Sequence, residues 1–341
     1  MKSFVFCVYL LLTVSVGAVA SDKIIPPKLI ENLNSTQTKE TSSYSRLEGW
    51  VYMTYMVNEQ GRADHIEVIT HSNNDKFIPT SISYLENLRF EPATVNGQAT
   101  SYLQKYFMRH KKSFAENSND GITTYFQKKY NQADQHINRG ELTDSEQLLR
   151  DLVETNTKNL TEQALAAWLL SKHFFKAKNW TQYRDHMLDA FYLREHLPAE
   201  LAIKTTQNLL DWQIYKKLYS DALMTIVELT LVAEGNVDTK SIAQTMVELN
   251  QALEKPVINT RSTISPGTLW QHRLQKQNLS ITPINGELSF IEVRCANGRF
   301  VQSTKGFDNL SLGDELGNCF VFVGATKETN ISIIETGKVR Q

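Results

Sequence analysis

At 341 residues the chain has room for two or three domains, and its balance of 36 Lys+Arg against 37 Asp+Glu leaves no net field to draw it to nucleic acid or anionic lipid. An apolar content of 41% supplies enough material for ordinary globular cores. Residues 1–20 read as a secretory signal peptide. Lys2 gives a positive start, Phe4 to Val16 is almost wholly apolar, and Ala18-Val19-Ala20 offers the small residues that a signal peptidase reads, so cleavage is expected before Ser21. The apolar run of about 16 residues is short for a bilayer span, and an uncleaved anchor is the alternative. Cys7 lies inside the run and not at the cleavage junction, which argues against a lipid anchor. Residues 21–46 are polar and carry Pro26-Pro27 and a Ser/Thr/Asn-rich stretch, the composition of a linker or lead-in arm.

Residues 47–112 predict a small two-layer unit in the order strand, strand, helix, strand. Trp50 to Val57 alternates as a strand, Asn58-Glu59-Gln60-Gly61 is a turn, and Ala63 to Thr70 is a second strand. Phe77 to Leu88 spaces Ile78, Ile82, Leu85 and Leu88 on one helical face, with Pro92 ending the helical region. After the Asn96-Gly97 turn, Tyr102 to Arg109 alternates again as a third strand. The first strand is apolar on both faces: Val51, Met53, Tyr55 and Val57 on one, Trp50, Tyr52, Thr54 and Met56 on the other. A two-layer unit needs only one such face. Trp50, Tyr52 and Met56 are therefore read as an exposed apolar face awaiting a cover, either the helices of the same chain, a second copy of the chain, or another protein.

Gly49, Val51, Val57, Gly61 and the run Arg89-Phe90-x-Pro92-Ala93 before Gly97 resemble the TonB C-terminal domain family, over about 65 residues. The resemblance implies that partners are captured by strand addition at a sheet edge. The third strand is then the candidate edge, with Tyr102, Gln104, Tyr106 and Met108 as its partner-binding face, Leu103, Lys105 and Phe107 on the other, and Lys105 and Arg109 as charges that protect an unpaired rim. The sequence departs from that family's energy transducers. No His or charged residue lies between Phe4 and Ala20, and no long Pro-rich spacer follows.

Residues 121–254 are helical, in pairs near 123–138 and 145–155, 162–178 and 181–195, 199–218 and 220–233, with a final helix at 239–253. Turns recur at Gly140, Asn179 and Leu218, at a spacing near 38 or 39 residues, and Ser145, Tyr183 and Ala222 fall at matching positions. The pattern resembles tetratricopeptide-type repeats, with a non-repetitive bundle as the alternative; in both cases neighbouring pairs must stack to bury their apolar stripes. Residues 262–341 predict a small antiparallel β domain with Asn/Gly turns at 285–286, 297–298 and 317–318. Cys295 and Cys319, the two cysteines beyond the signal, predict one disulfide in an oxidising compartment, two separate buried thiols being the alternative. The fold class is a multidomain α+β chain.

No catalytic constellation emerges. The sequence has no nucleophile elbow and no phosphate-cradling glycine loop. His65 and His71, with Glu67 between them, share a face only if their strand is regular, and no closing metal-ligand set accompanies them. Asp185 and Asp189 fit an exposed helix face; Trp168, Phe174, Phe175, Trp180 and Tyr183 fit repeat core. No cofactor, metal or nucleic acid is implied. The resulting expectation is a non-catalytic periplasmic scaffold that binds protein partners of the cell envelope, an outer-membrane protein among them, with a link to outer-membrane transport; a homodimer is a further option. Two alternatives stand beside it. One is an enzyme or small-ligand binder whose groove is lined by Glu292, Arg294, Arg299 and Asp314 in the C-terminal β domain. The other is an energy transducer, if the N-terminus stays uncleaved.

Overall fold

The computed structural model describes residues 24–32, 48–72, 75–111, 121–235 and 238–340. The expected signal peptide and most of the lead-in arm lie outside these residues. The N-terminal region runs β1 (Ile24–Ile25), β2 (Lys28–Asn32), β3 (Gly49–Val57), β4 (Ala63–His71), α1 (Phe77–Glu86), β5 (Leu88–Glu91), β6 (Ala93–Val95), β7 (Gln98–Thr100) and β8 (Tyr102–His110). The described part of the arm is paired. β2 runs antiparallel to β5, and β1 to β6, which pairs in turn with β7. The predicted helix therefore stops at Glu86, and Leu88-Arg89-Phe90 forms a strand. Its partner comes from some sixty residues upstream, which local periodicity does not reveal.

β3 is the central strand of a three-stranded sheet in the order β4-β3-β8. Val51, Met53, Tyr55 and Val57 pack under α1 with Phe77, Leu85, Leu88 and Phe90. Two glycines permit this closeness. A Cβ on Gly49 would overlap the ring of Phe77. Gly61, at φ +72°, turns β3 into β4 so close to β5 that a Cβ would overlap the Phe90 carbonyl. The opposite face is where the structure corrects the sequence. Trp50 and Met56 are each 2% exposed. Trp50, with Tyr52 and Phe107, packs against Phe126, Leu152, Leu160 and Ala164 of the helical region, while Met56 and Leu103 pack against Phe320 and Phe322 of the C-terminal region. Trp50, Tyr52 and Met56 thus form no exposed apolar face. The chain covers it from two sides, and each large side chain so buried contributes about 1.5–3 kcal/mol.

The helical region comprises α2 (Thr124–Arg139), α3 (Leu142–Asp151, continued by a wide turn over Leu152–Asn156), α4 (Leu160–Lys176), α5 (Trp180–Tyr192), α6 (Ala199–Tyr215), α7 (Tyr219–Val232) and α8 (Thr239–Leu253). Each of the pairs α2/α3, α4/α5 and α6/α7 closes through the same turn. Gly140, Lys178 and Lys217 adopt the left-handed conformation. The next residue's N–H reaches back to His136, Phe174 and Gln213 respectively, the double-bonded Schellman cap that ends a helix and fixes the following one. The recurrence is thus present in the backbone, although two of the three turns use lysine. Ser145, Tyr183 and Ala222 are all buried one turn beyond it.

The C-terminal region contains β9 (Val257–Ile264), β10 (Trp270–Arg273), β11 (Lys276–Pro283), β12 (Glu287–Cys295), β13 (Gly298–Gln302), β14 (Phe307–Ser311), β15 (Cys319–Lys327) and β16 (Thr329–Val339). These form two four-stranded antiparallel sheets, β10-β15-β12-β13 and β14-β11-β16-β9, around one core to which both contribute. Cys295 and Cys319 face each other on β12 and β15 and are disulfide-bonded. Gln275 joins this region to the helices. Its side-chain oxygen accepts from the N–H groups of Tyr219 and Ser220 at the start of α7, and its amide donates to Lys217 O and to Glu335.

Candidate functional site

Two features remain once the cores are assigned: the outer edge of β8, which among the described residues pairs only with β3, and a cavity where the three regions meet. β8 pairs with β3 over nine residues in unbroken register. The other edge strand, β4, is different. Its register shifts twice against β3, and His65 at the second shift takes φ 46°. The His65 carbonyl accepts a hydrogen bond from Arg294 Nη1 at 2.8 Å. A bulge capped by a guanidinium blunts that edge. It also means that His65 and His71 do not share a regular strand face. No comparable device interrupts β8 from Tyr102 to Arg109. A groove of about 340 Å³ runs beside it, lined by Tyr102, Leu103, Gln104 and Lys105 and, from the C-terminal region, by Arg273, Asn318 and Phe320.

The side chains expected to bind a partner divide. Tyr102 and Gln104 border the groove. Tyr106 and Met108 pack against the core under α1, with the Tyr106 ring stacked on Tyr84 at 5.6 Å, so they are not a free binding face. Nor do Lys105 and Arg109 act as rim charges of the kind expected. Arg109 forms an ion pair with Glu195 before α6, and Lys105 turns inward to the cavity. Among the remaining motif residues, Arg89 donates to the Glu86 and Leu88 carbonyls, Phe90 and Ala93 are buried, Pro92 links β5 to β6, and Gly97 forms the β6–β7 turn.

The cavity encloses about 550 Å³. The sheet supplies Tyr52, Thr70 and Lys105; helices α5 to α7 supply Trp180, Arg184, Asp189, Trp212, Gln213 and Asp221; the C-terminal sheets supply Thr260, Arg261, Arg273 and Phe320. Asp185 and Asp189 therefore face this space and not open solvent. Thr70 donates to Asp189 at 3.0 Å, and Arg184 pairs with Asp185 while also donating to Thr263 O. Phe175 and Trp180 likewise are not repeat core: both are about half exposed, and Trp180 lines the cavity. Lys105 lies between the cavity and the β8 groove. Its Nζ donates to Gln271 at 2.8 Å and sits 3.6 Å from the centre of the Phe320 ring. Burial lowers its pKa to about 7, opposed by Asp221 and assisted by Arg273. Burial also raises Tyr52 to about 12 and pushes Tyr192 well above the usual phenol range.

Glu292, Arg294 and Arg299 do not line a groove of the β region. Arg294 is 1% exposed and bonded to Glu292 at 2.5 Å, and Arg299 holds the same carboxylate with two hydrogen bonds. Burial would raise Glu292, but these two guanidiniums outweigh it and hold the carboxyl below its ordinary range. The cluster clamps β12 to β4. Asp314 accepts from Gln277 on the far side. The residues that sequence reasoning missed are those of the cavity. One signal was available: Lys105 stands between Leu103 and Phe107 on an otherwise apolar strand face. No protein-family model matches the chain, and no curated protein matches it.

Proposed function

We propose that the chain is a non-catalytic docking protein of the periplasm that captures a segment of a protein partner as an added strand on β8. The observation that carries this reading is the asymmetry of the sheet: β4 is bulged and capped, whereas β8 keeps nine residues in regular register beside a groove. Main-chain hydrogen bonds along such an edge give affinity, and the groove beside Tyr102 and Gln104 selects side chains. The resemblance of Gly49, Gly61 and Arg89-Phe90-x-Pro92-Ala93 to the TonB C-terminal domain supports the same mode of capture and a role linked to outer-membrane transport. The helical hairpins, stacked against the sheet through Trp50, would serve as a rigid mount.

Amide hydrogen exchange tests the edge directly. In the isolated protein, alternate amides of β8 should exchange much faster than those bonded to β3. Uniformly slow exchange along β8 would mean that the chain already occupies its own edge, and the reading would fail. A photo-crosslinker at Gln104 in intact cells then identifies the partner, with the same group at Glu67 on β4 as the control. Mass spectrometry of the mature chain decides between a released protein, which starts at Ser21, and an anchored energy transducer, which keeps residues 1–20.

A further inference from the structure

The junction cavity has properties that strand capture does not use. Its volume of about 550 Å³ falls in the range of small-molecule sites. Its acids are already engaged: Asp185 by Arg184, Asp189 by Thr70, Asp221 by Arg273 at 3.0 Å and Glu228 by Arg194 at 2.5 Å. Among the described residues, Lys105, Lys216 and Arg261 line the same space without an ion-pair partner, and the wall as a whole sets six basic side chains (with Arg184, Arg194 and Arg273) against the four acids, a positive excess of two. Two further wall residues hold buried polar atoms that lack a hydrogen-bond partner among the described residues. These are Gln213 Oε1 and Thr260 Oγ1, in side chains of residues only 9% and 5% exposed. A buried polar atom left unpaired is costly to keep, and a ligand that meets it removes that cost. The rest of the wall is broad and aromatic, with Trp180, Trp212, Phe191 and Phe320.

We propose that this cavity binds a small organic anion with an aromatic or apolar body and an N–H or O–H donor. The anionic group would lie toward Lys105 and Lys216 and the body against Trp212 and Phe320; on binding, Gln213 and Thr260 would turn their enclosed oxygens to the ligand, Gln213 Oε1 accepting from its donor and Thr260 Oγ1 donating to the anion. Covering Lys105 with an anion replaces the water that its burial removed. A ligand here touches side chains of three regions and needs no sheet edge, although Lys105, Arg273 and Phe320 also line the β8 groove.

8-Anilinonaphthalene-1-sulfonate carries all three features, and N-phenyl-1-naphthylamine is the same body without the charge. Fluorescence titration of the full chain with each dye tests the proposal. The sulfonate should bind with one-to-one stoichiometry and at least ten-fold more tightly than the neutral dye. Lys105→Met combined with Lys216→Gln should weaken the sulfonate at least ten-fold and leave the neutral dye within two-fold. Gln213→Leu should weaken both. Should the double variant fail to fold, Lys216→Gln alone decides, with a weakening of about three-fold or more expected. Equal affinity for the two dyes, many weak sites, or sulfonate binding indifferent to the lysine variants would each overturn the proposal.

Discussion

Replacing Trp50 with alanine measures what covers the second face of β3. The indole is 2% exposed and packs among Phe126, Leu152, Leu160 and Ala164, with its ring 5.4 Å from that of Phe107 and nearly parallel to it. Removing a buried aromatic of this kind costs about 3–5 kcal/mol, because transfer free energy and the cavity left behind add. Loss of the ring pair accounts for about 0.5–1.5 kcal/mol of that. The same substitution on a surface kept open for another protein would change stability by no more than about 0.5 kcal/mol. Urea unfolding followed by far-UV circular dichroism reads the difference without relying on the tryptophan signal. Because Trp50 bridges sheet and helices, the variant should also separate their unfolding into two transitions. A loss under about 1 kcal/mol with an unchanged single transition would refute the reasoning, since the sheet would then not be held by the helices.

Gly61→Ala and Gly97→Ala both place alanine at positive φ, at a cost of about 1–2 kcal/mol, but only at Gly61 does the new Cβ overlap a backbone carbonyl, that of Phe90; denaturant midpoints should therefore drop further for Gly61→Ala, by about 1–3 kcal/mol of added strain. Lys105 has a folded-state pKa of about 7 against 10.5 when solvated, so the unfolded chain holds the proton over that interval and stability rises with pH between the two values. Lys105→Met should remove that rise and stabilise the protein at pH 6, measured by melts across the pH range. Glu292, held below its ordinary range, stabilises the fold above the normal carboxylate pKa and loses that contribution as pH falls through its depressed value; Glu292→Gln should flatten the acid limb of the stability profile. Replacing Cys295 and Cys319 together by alanine opens a loop of 24 residues' separation and should cost about 3 kcal/mol, seen as the difference between oxidised wild type and variant in the same denaturant series.

Much of the fold was legible locally. Alternation over Gly49–Val57 and Tyr102–His110 located both strands to within a residue or two, and helical periodicity with its recurring turns located the hairpins. β5 was not legible, because Leu88–Glu91 becomes a strand only when Lys28–Asn32 lies beside it. The C-terminal domain was read only as a small β domain from residue 262, whereas its first strand begins at Val257, and β10, β11 and β14, four to eight residues of mixed polarity, become strands by joining sheets formed around β12, β15 and β16. The third strand does stand at an edge of its sheet among the described residues, but the faces of that strand were not legible. Tyr106 and Met108 go to the core, and Lys105 goes to a cavity whose other walls are drawn from Tyr52 through Trp180 and Trp212 to Phe320.

By itself the sequence determined that β3 is apolar on both faces and that its second face needed a cover, that hairpins must stack, and that one disulfide between Cys295 and Cys319 was the expected pairing. These follow from period and turn chemistry, which depend on neighbours a few residues apart. Only the tertiary structure decided which surface covers which: helices over Trp50, the β region over Met56, and a charged cavity left between them. Apolar periodicity states that a side chain must leave water, but hydrophobic burial is non-directional and carries no label for the partner. The partner is settled by packing, where shape and the few buried charges permit a single arrangement.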